Sequence, residues 1–265
     1  MNPVPVHACN PGPMTGEGNW TWLLPGRVPT LVDAGTGEPG HLDAVEQALA
    51  GDRLAQVLVT HAHGDHASGV VAIARRFEGV RFLKMFWKGR DSRWPVDWES
   101  LADGQAVAAG DETLRAVHTP GHAPDHLCFW HDASRTLFSG DLAVKGSTIY
   151  IPANLGGDLI QYLASLERVL ALAPSRLFPA HGPIIEDPKT VLRGYVSHRR
   201  RREEQIVAAL AQADRTPDAL VPIVYPGLAV HLAEVVRETI LAHLLKLERE
   251  GRAGRRGDAW HMIGP

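Results

Sequence analysis

The sequence predicts an α/β protein in which two packed β-sheets carry helices on both outer faces, followed by a mostly helical C-terminal domain. Short apolar segments typical of strands alternate with helical segments through residues 1–189. Histidine and aspartate residues follow the ends of several of these strands, in both halves of that region. From residue 190 onwards the segments are almost all helical. We therefore predict one domain over residues 1–189 and a second over residues 190–265.

Several segments of the first domain are predicted strands, because they are short, rich in β-branched or aromatic residues and bounded by turn residues. They cover residues 20–24, 30–33, 55–59, 80–83, 113–117, 127–130, 136–139 and 176–179. The predicted helices have apolar residues at helical spacing and cover residues 42–49, 70–77 and 159–172. Residues 9–18 and 84–98 are predicted loops.

The C-terminal region is predicted to contain helices and a β-hairpin. The first helix covers residues 195–213, and a short second helix begins at Pro217 with Thr216 as its cap. The third helix covers residues 229–250 and has an apolar face. Residues 251–258 form a predicted glycine-rich hairpin turn before a strand over residues 259–263. This order of elements resembles a winged helix.

The composition is that of a folded globular chain, with 45% apolar and 22% charged residues. The two cysteines, Cys9 and Cys128, form neither a disulfide framework nor a CxxC pair. No apolar run reaches the length of a membrane span, and the first residues lack the features of a signal peptide. We therefore predict a cytoplasmic protein without a membrane partner.

The charge distribution leaves the class of substrate open. The net charge of −3 does not favour strong nucleic-acid binding. However, residues 1–189 hold 15 Lys and Arg against 21 Asp and Glu, a net −6, whereas residues 190–265 hold 12 against 9, a net +3. This asymmetry and the run Arg199–Arg202 suggest an acidic substrate or partner, and the alternative is a solvated helix face.

A second basic segment includes three tryptophans, Trp87, Trp94 and Trp98, among lysines and arginines. Aromatic rings and cations in this pattern are able to stack on the bases of a single-stranded polyanion. The alternative is a surface loop whose tryptophans pack locally.

The stretch from Thr60 to His66 is the strongest functional signal. It follows a predicted buried strand and contains three histidines and one aspartate within six positions. His61 and His63 can point to one side, and Asp65 and His66 to another, which suits two neighbouring metal ions because imidazole and carboxylate are ordinary zinc ligands. The alternative is a polar loop with scattered histidines.

Later fragments supply further ligands, namely Gly121-His122, Gly140-Asp141 and Ala180-His181-Gly182. With the first stretch, in this order and spacing, they resemble the metallo-β-lactamase fold hydrolases over roughly residues 9–185. The opening Asn10-Pro11-Gly12-Pro13, the segment 195–199 and the winged-helix-like tail are similar to one subgroup. That subgroup comprises the beta-lactamase-like protein two group, known as endoribonucleases, and its bacterial relatives. The resemblance implies an αββα sandwich.

The resemblance also implies a set of metal ligands. His61, His63 and His122 would hold the first metal, and Asp65, His66 and His181 the second, with Asp141 bridging both. Two zinc ions are expected, with manganese or iron as alternatives, and the set leaves room for a shared water or hydroxide. Asp65 and Asp141 are the expected catalytic residues, Asp65 as the group that orients the nucleophile and carries its proton. One departure is Trp20, where the subgroup has asparagine.

Other residues near these motifs have two interpretations each. His126 is expected to support the site rather than to bind metal, and His118 is expected to be a strand residue. Asp33 is either a brace for the ligand loop or a plain turn residue. The residues that follow Asp141 could contact substrate or belong to an ordinary loop; they are Ser147, Thr148 and Tyr150.

These observations leave three functional hypotheses. The first is a binuclear zinc hydrolase of a phosphodiester, such as single-stranded RNA. The second is a hydrolase of a small ester, thioester, lactone or β-lactam, similar to glyoxalase II or a β-lactamase. Aspartate at position 141 argues against the zinc β-lactamases that use a thiolate there. The third is a non-enzymatic winged-helix regulator, which would not need an open pair of metals.

Overall fold

The computed structural model describes residues 2–229 and 232–264, and its first β-sheet has six strands. In spatial order these are β1 (Val4–His7), β2 (Trp20–Leu24), β3 (Thr30–Val32), β4 (Gln56–Leu58), β5 (Arg81–Lys84) and β6 (Trp98–Ser100). β1 to β3 pair antiparallel, whereas β3 to β6 run parallel. The carboxyl ends of β3 and β4 therefore lie at the same edge, where ligands commonly bind.

The second sheet has five strands in the spatial order β11-β10-β9-β8-β7. Their bounds are β7 (Ala106–Ala109), β8 (Glu112–His118), β9 (Leu127–His131), β10 (Thr136–Gly140) and β11 (Arg176–Pro179). β10 and β11 are parallel, and the other pairs are antiparallel. Parallel pairing brings the ends of β10 and β11 to one edge of this sheet as well.

The α-helices are α1 (Pro39–Leu49), α2 (Gly64–Ala67), α3 (Val70–Arg76), α4 (Leu159–Leu172), α5 (Pro188–Leu210), α6 (Pro217–Val224) and α7 (Ala233–Arg249). Short 3-10 helices cover Asp91–Arg93 and Ala153–Leu155. A two-stranded sheet, β12 (Ala253–Arg256) and β13 (Ala259–Met262), closes the chain. Within the described part of the chain, no helix is both long enough and apolar enough to cross a bilayer.

The two large sheets pack face to face around Trp22, Leu58, Phe129 and Phe138. The opposite face of the first sheet is covered by α1 and α3, and that of the second by α4 and α5. Burying each such side chain contributes about 1.5–3 kcal/mol, so these layers supply much of the stability. The predicted αββα sandwich is confirmed.

The C-terminal helices form their own core around Ile206, Leu220, Leu244 and Trp260. The Thr216 hydroxyl accepts a hydrogen bond from the backbone of Ala219 at 3.2 Å, so the predicted cap of α6 is confirmed. The terminal hairpin turns at Gly257-Asp258. The predicted winged-helix-like region is therefore present, while the boundary between residues 189 and 190 stays a prediction, because α5 begins before it.

Four strands are not predicted from the sequence, and for each there is a physical reason why its sequence does not look like a strand. β1 is an edge strand that contains Pro5, and β6 is a three-residue edge strand after a loop. β7 is almost all alanine, which has little strand propensity. β12 was predicted to be part of the hairpin turn because of its glycine and arginines.

Helix boundaries also differ from the prediction, most of all at the starts of α5 and α7. α5 begins at Pro188, seven positions earlier than expected, because Asp187 caps it and Pro188 suits its first turn. α7 begins at Ala233 rather than residue 229, and Val230 and His231 of the predicted helix lie outside the described residues.

Candidate metal centre and its cavity

The predicted ligands converge at the edge where both sheets present strand ends. His61 and His63 follow β4, and the next two ligands, Asp65 and His66, lie on the single turn of α2. The remaining three leave the ends of strands in the second sheet: His122 after β8, Asp141 after β10 and His181 after β11. The structure therefore brings together all seven residues that the sequence indicated.

Three imidazole nitrogens face one another on one side of the cluster. His63 Nδ1 lies 3.0 Å from His61 Nε2 and 2.8 Å from His122 Nε2. The other ring nitrogen of His122, Nδ1, donates to the Tyr150 carbonyl at 2.7 Å. That bond fixes the tautomer, so Nε2 of His122 presents a lone pair to the cluster.

The second side combines carboxylates with imidazoles. His66 Nε2 and His181 Nε2 lie 3.4 Å and 3.3 Å from Asp65 Oδ2, and the same distances separate them from Asp141 Oδ1. The other carboxylate oxygen of Asp141 lies 3.3 Å from His122 Nε2. Asp141 therefore lies between the two sets of histidines, as a bridging ligand would.

Asp33 holds the ligand loop at two points. Its Oδ1 accepts the Thr60 amide at 2.8 Å, and its Oδ2 accepts from His66 Nδ1 at 2.8 Å. Its backbone is left-handed, with φ of 63°, a strained conformation that is frequent at functional sites. The interpretation of Asp33 as a brace is confirmed.

His126 supports Asp141 through a hydrogen bond to its backbone. Its Nε2 accepts the Asp141 amide at 3.1 Å, and its Nδ1 is 2.8 Å from the Thr119 hydroxyl. Both ring nitrogens are thus occupied, which agrees with the expected supporting role. Gly140 is required here, because a Cβ at this position would lie 2.8 Å from the His126 ring. His118 ends β8, as expected, and its Nε2 contacts the Pro124 carbonyl.

Two supporting residues were missed. Asn19 donates from Nδ2 to Asp65 Oδ2 at 3.0 Å, and Asp125 accepts the Ala62 amide at 2.9 Å. Asp125 also pairs with the buried Lys84 at 3.0 Å. Neither residue shows a ligand spacing in the sequence, because their partners lie 46 and 63 residues away.

The electrostatics of the cluster follow from burial and close charges. Burial lowers the pKa of His61 well below its ordinary value, and the adjacent histidines lower it further. Burial raises the pKa of Asp141, but His181 and His66 outweigh it, so that pKa lies well below the usual range. Burial also raises the pKa of Asp65, but His66 and His181 outweigh it, so that pKa too lies well below the usual range. Both carboxylates are therefore ionised in a buried site, which requires nearby positive charge.

The donor set fits divalent metal ions. Three groups of three side chains each have ligand atoms within 4.8 Å of one another: His61, His63 and His122; His61, His66 and Asp141; and Asp65, His66 and His181. His63 Nε2, His66 Nε2 and Asp141 Oδ1 are buried without a hydrogen-bond partner among the described residues. Because His66 Nδ1 already donates to Asp33, its Nε2 is available as a ligand.

A cavity of about 660 Å³ opens onto the cluster. Its walls come from the loop 13–18, the loop 144–155 and the start of the C-terminal α7 region. The apolar side chains that line it are Pro13, Met14, Trp20, Val144, Ile149, Pro152, Leu155, Leu232 and Val235. Ser147, Thr148 and Tyr150 also line it, so the loop after Asp141 is part of the cavity wall.

The two basic segments contain both packed and exposed side chains. Trp94 and Trp98 pack against the outer core of the first sheet, which is the local packing that was the alternative interpretation. The Arg90 guanidinium lies over the Trp87 ring, with its central carbon 4.8 Å from the ring centroid. The run Arg199–Arg202 is not exposed along its whole length, although Arg200 and Arg201 are exposed. Arg199 is 1% exposed, and Arg202 lies over the Tyr225 ring.

The αββα fold and a buried cluster of histidines and aspartates at strand ends define a metal-dependent hydrolase. Residues 14–181 match the metallo-beta-lactamase superfamily, and residues 216–260 match the beta-lactamase associated winged helix domain. The chain belongs to the metallo-β-lactamase superfamily, whose members are generally metal-dependent hydrolases.

Relatives agree with this assignment, and a solved structure shares the fold. The chain is 33% identical to the beta-lactamase-like protein 2 homolog of Drosophila melanogaster, over 94% of this chain and 88% of that protein. It is 34% identical to an atrochrysone carboxyl ACP thioesterase of Aspergillus chevalieri, over 79% of this chain and 66% of that protein. A metallo-beta-lactamase family protein of Thermus thermophilus shares the fold, with a TM-score of 0.82, 22% identity and coverage of 99% of this chain and 98% of that one.

Proposed function

We propose that this protein is a binuclear zinc hydrolase of an acyl thioester or ester with an apolar acyl group. The observation that carries the proposal is the lining of the cavity. Its walls beyond the metal cluster are mostly apolar, and none of the described lining residues is lysine or arginine. A neutral acyl chain gains free energy by burial there, about 0.8 kcal/mol for each methylene group, whereas a phosphodiester would meet no cationic side chain.

The roles of the chain's own residues follow from the geometry. His61, His63 and His122 would hold one metal ion, Asp65, His66 and His181 the other, and Asp141 both. When bound, such ions polarise the attacked carbonyl and lower the pKa of water. Manganese and iron suit the same ligands, and zinc is proposed because histidine predominates.

Asp65 is the proposed proton carrier. Its Oδ2 is held by Asn19 Nδ2 and faces the imidazoles of His66 and His181. Its Oδ1 is therefore the atom left to accept the proton of the attacking water. The water oxygen bonds to the carbonyl carbon, the carbon–sulfur bond breaks, and the proton passes from Asp65 to the leaving thiolate.

The named thioesterase among the relatives supports the acyl substrate class. A second candidate is the phosphodiester of single-stranded RNA. Arg200 and Arg201 are exposed on α5, and residues 190–265 carry the +3 balance that favours an acidic partner. A regulator without activity is the weakest candidate, because a pure binder has no use for ionised carboxylates among imidazoles at the end of an open cavity.

The test compares substrate classes on one zinc-loaded preparation. Short and long straight-chain acyl thioesters, a β-lactam and end-labelled single-stranded RNA are each incubated with wild-type protein and with Asp141→Ala. We expect metal-dependent hydrolysis of the thioesters, faster for the longer chain and lost in the variant. Cleavage of RNA alone, lost in the same variant, would refute the acyl proposal and favour the second candidate.

A further inference from the structure

The segment 142–150, called here the Asp141 loop, is fastened by side chains of two helices. Tyr162 on α4 donates its hydroxyl to the Leu142 carbonyl at 2.8 Å. Tyr195 on α5 both donates to the Val144 carbonyl and accepts from the Val144 amide, each at 3.0 Å. The loop that follows Asp141 is therefore held by specific bonds and does not rest on apolar packing alone.

Arg199, one turn further along α5, holds the end of the same loop. Its Nη2 donates a hydrogen bond to the Ile149 carbonyl. The next carbonyl along the chain, that of Tyr150, accepts the hydrogen bond from His122 Nδ1 at 2.7 Å. Arg199 thus holds the peptide group that precedes the Tyr150 carbonyl. That carbonyl in turn sets the tautomer and the orientation of the expected metal ligand His122.

The burial of Arg199 indicates that this bond matters. The side chain is 1% exposed, and its Nε and Nη1 have no hydrogen-bond partner within residues 2–229 and 232–264. Its guanidinium lies 5.6 Å from the centroid of the Tyr162 ring, which offsets the burial of charge only in part. An apolar side chain of similar volume would fill this space at a lower cost of desolvation.

We propose that Tyr195 and Arg199 are positioning residues for His122, so that α5 completes one of the two metal sites. This inference rests on the proposed pair of metal ions. The site of His61, His63 and His122 depends on α5 through the Asp141 loop. The site of Asp65, His66 and His181 depends on it less, because Asp33 holds His66 and Asn19 holds Asp65. The shared ligand Asp141 is fixed separately, by the bond from its amide to His126. Loss of the α5 bonds should therefore affect the two metals unequally.

The test measures zinc affinity, with Arg199→Met as the main variant. It removes the donor and keeps the apolar stem, whereas Arg199→Lys keeps a charged donor. Arg193→Met is the matched control, because Arg193 is exposed on the same helix. Each metal-free protein is titrated with zinc against a chromogenic chelator, and its thermal midpoint is recorded without metal.

We expect Arg199→Met to bind one of two zinc equivalents about tenfold more weakly and the other with unchanged affinity. Arg199→Lys should recover part of the loss, Tyr195→Phe should show a smaller loss of the same kind, and Arg193→Met should match the wild type. A purely structural role would lower the midpoint and weaken both equivalents together, or neither, and would overturn the proposal.

If Arg199→Met does not fold, Tyr195→Phe decides, since it removes a single oxygen. Selective weakening of one equivalent in that variant supports the proposal, and unchanged affinities refute it. A wild-type protein that binds no zinc, manganese or iron would instead refute the proposed metal centre, and this inference with it.

Discussion

Asp33 and His66 are joined by a buried hydrogen bond of 2.8 Å between a carboxylate oxygen and Nδ1 of the imidazole. The two residues come from neighbouring strand ends, and the same carboxylate also holds the Thr60 amide. One acidic side chain therefore fixes both the start of the ligand loop and the orientation of a ligand within it.

Replacing this carboxylate should weaken metal binding. Asp33→Asn keeps the size of the side chain and tolerates the left-handed backbone, but it removes the charge that His66 faces. We expect zinc affinity to fall about 10- to 100-fold. Titration of the metal-free protein with zinc measures this, with Asp52→Asn as the exposed control. Unchanged affinity would show that Asp33 is only a structural turn residue.

The metal content itself is the next prediction. Protein purified without chelator should contain two metal ions per chain, zinc by default, because seven side chains converge in three overlapping ligand groups. Elemental analysis checks the ratio. Removal by a chelator should abolish hydrolysis, and added zinc should restore it. A value near zero, with no uptake of zinc, manganese or iron, would contradict the assignment.

Asp141→Ala should remove the residue shared by the two sites. We expect hydrolysis to fall by at least about a hundredfold, because a metal-activated nucleophile is worth several kcal/mol. The fold should persist, since the Asp141 side chain is not part of the sheet cores. Turnover of the preferred substrate is measured beside the circular dichroism spectrum. Near-wild-type turnover would rule out a bridging role.

Stability should fall on acidification. His243 is 1% exposed, and burial lowers its pKa from 6.5 to about 4. The pKa of His243 is lower in the folded protein than in the unfolded chain. The contribution of neutral His243 to the free energy of unfolding is therefore complete above pH 6.5 and is lost as the pH falls towards 4. The full loss amounts to about 3 kcal/mol. Urea unfolding across this range should show a shallower decline for His243→Gln, and an unchanged slope would refute the assignment.

The sequence was most informative where the chemistry is local. The ligand set could be predicted because four of the seven ligands follow one strand, and the other three lie within four residues of recognisable strand ends. Asn19, Asp125 and Arg199 could not, because their partners lie 46 to 63 residues away and only the fold brings them together. Arg199 was misinterpreted for the same reason: in the sequence it is one of four arginines, and only packing of α5 against the Asp141 loop buries it.

The mouth of the cavity offers a test of substrate class that leaves the metal ligands intact. Met14 and Leu155 line it and are 58% and 42% exposed, so charged replacements should not disturb the fold. Met14→Lys with Leu155→Lys would place two cations where we propose that an acyl chain lies. Phe86→Lys is the control, since Phe86 is similarly exposed but does not line the cavity.

The double variant should lower kcat/KM for a long-chain thioester about tenfold, because losing contact with two methylene groups costs about 1.6 kcal/mol. The value for an acetyl thioester should hardly change, since its acyl group does not reach the mouth. For RNA, in contrast, the two added cations would strengthen binding at low salt, because they would contact the phosphates. Equal losses on short and long thioesters would mean that the two side chains shape the site without contacting the acyl chain. Faster RNA cleavage with unchanged thioester hydrolysis would assign the cavity mouth to a polyanion.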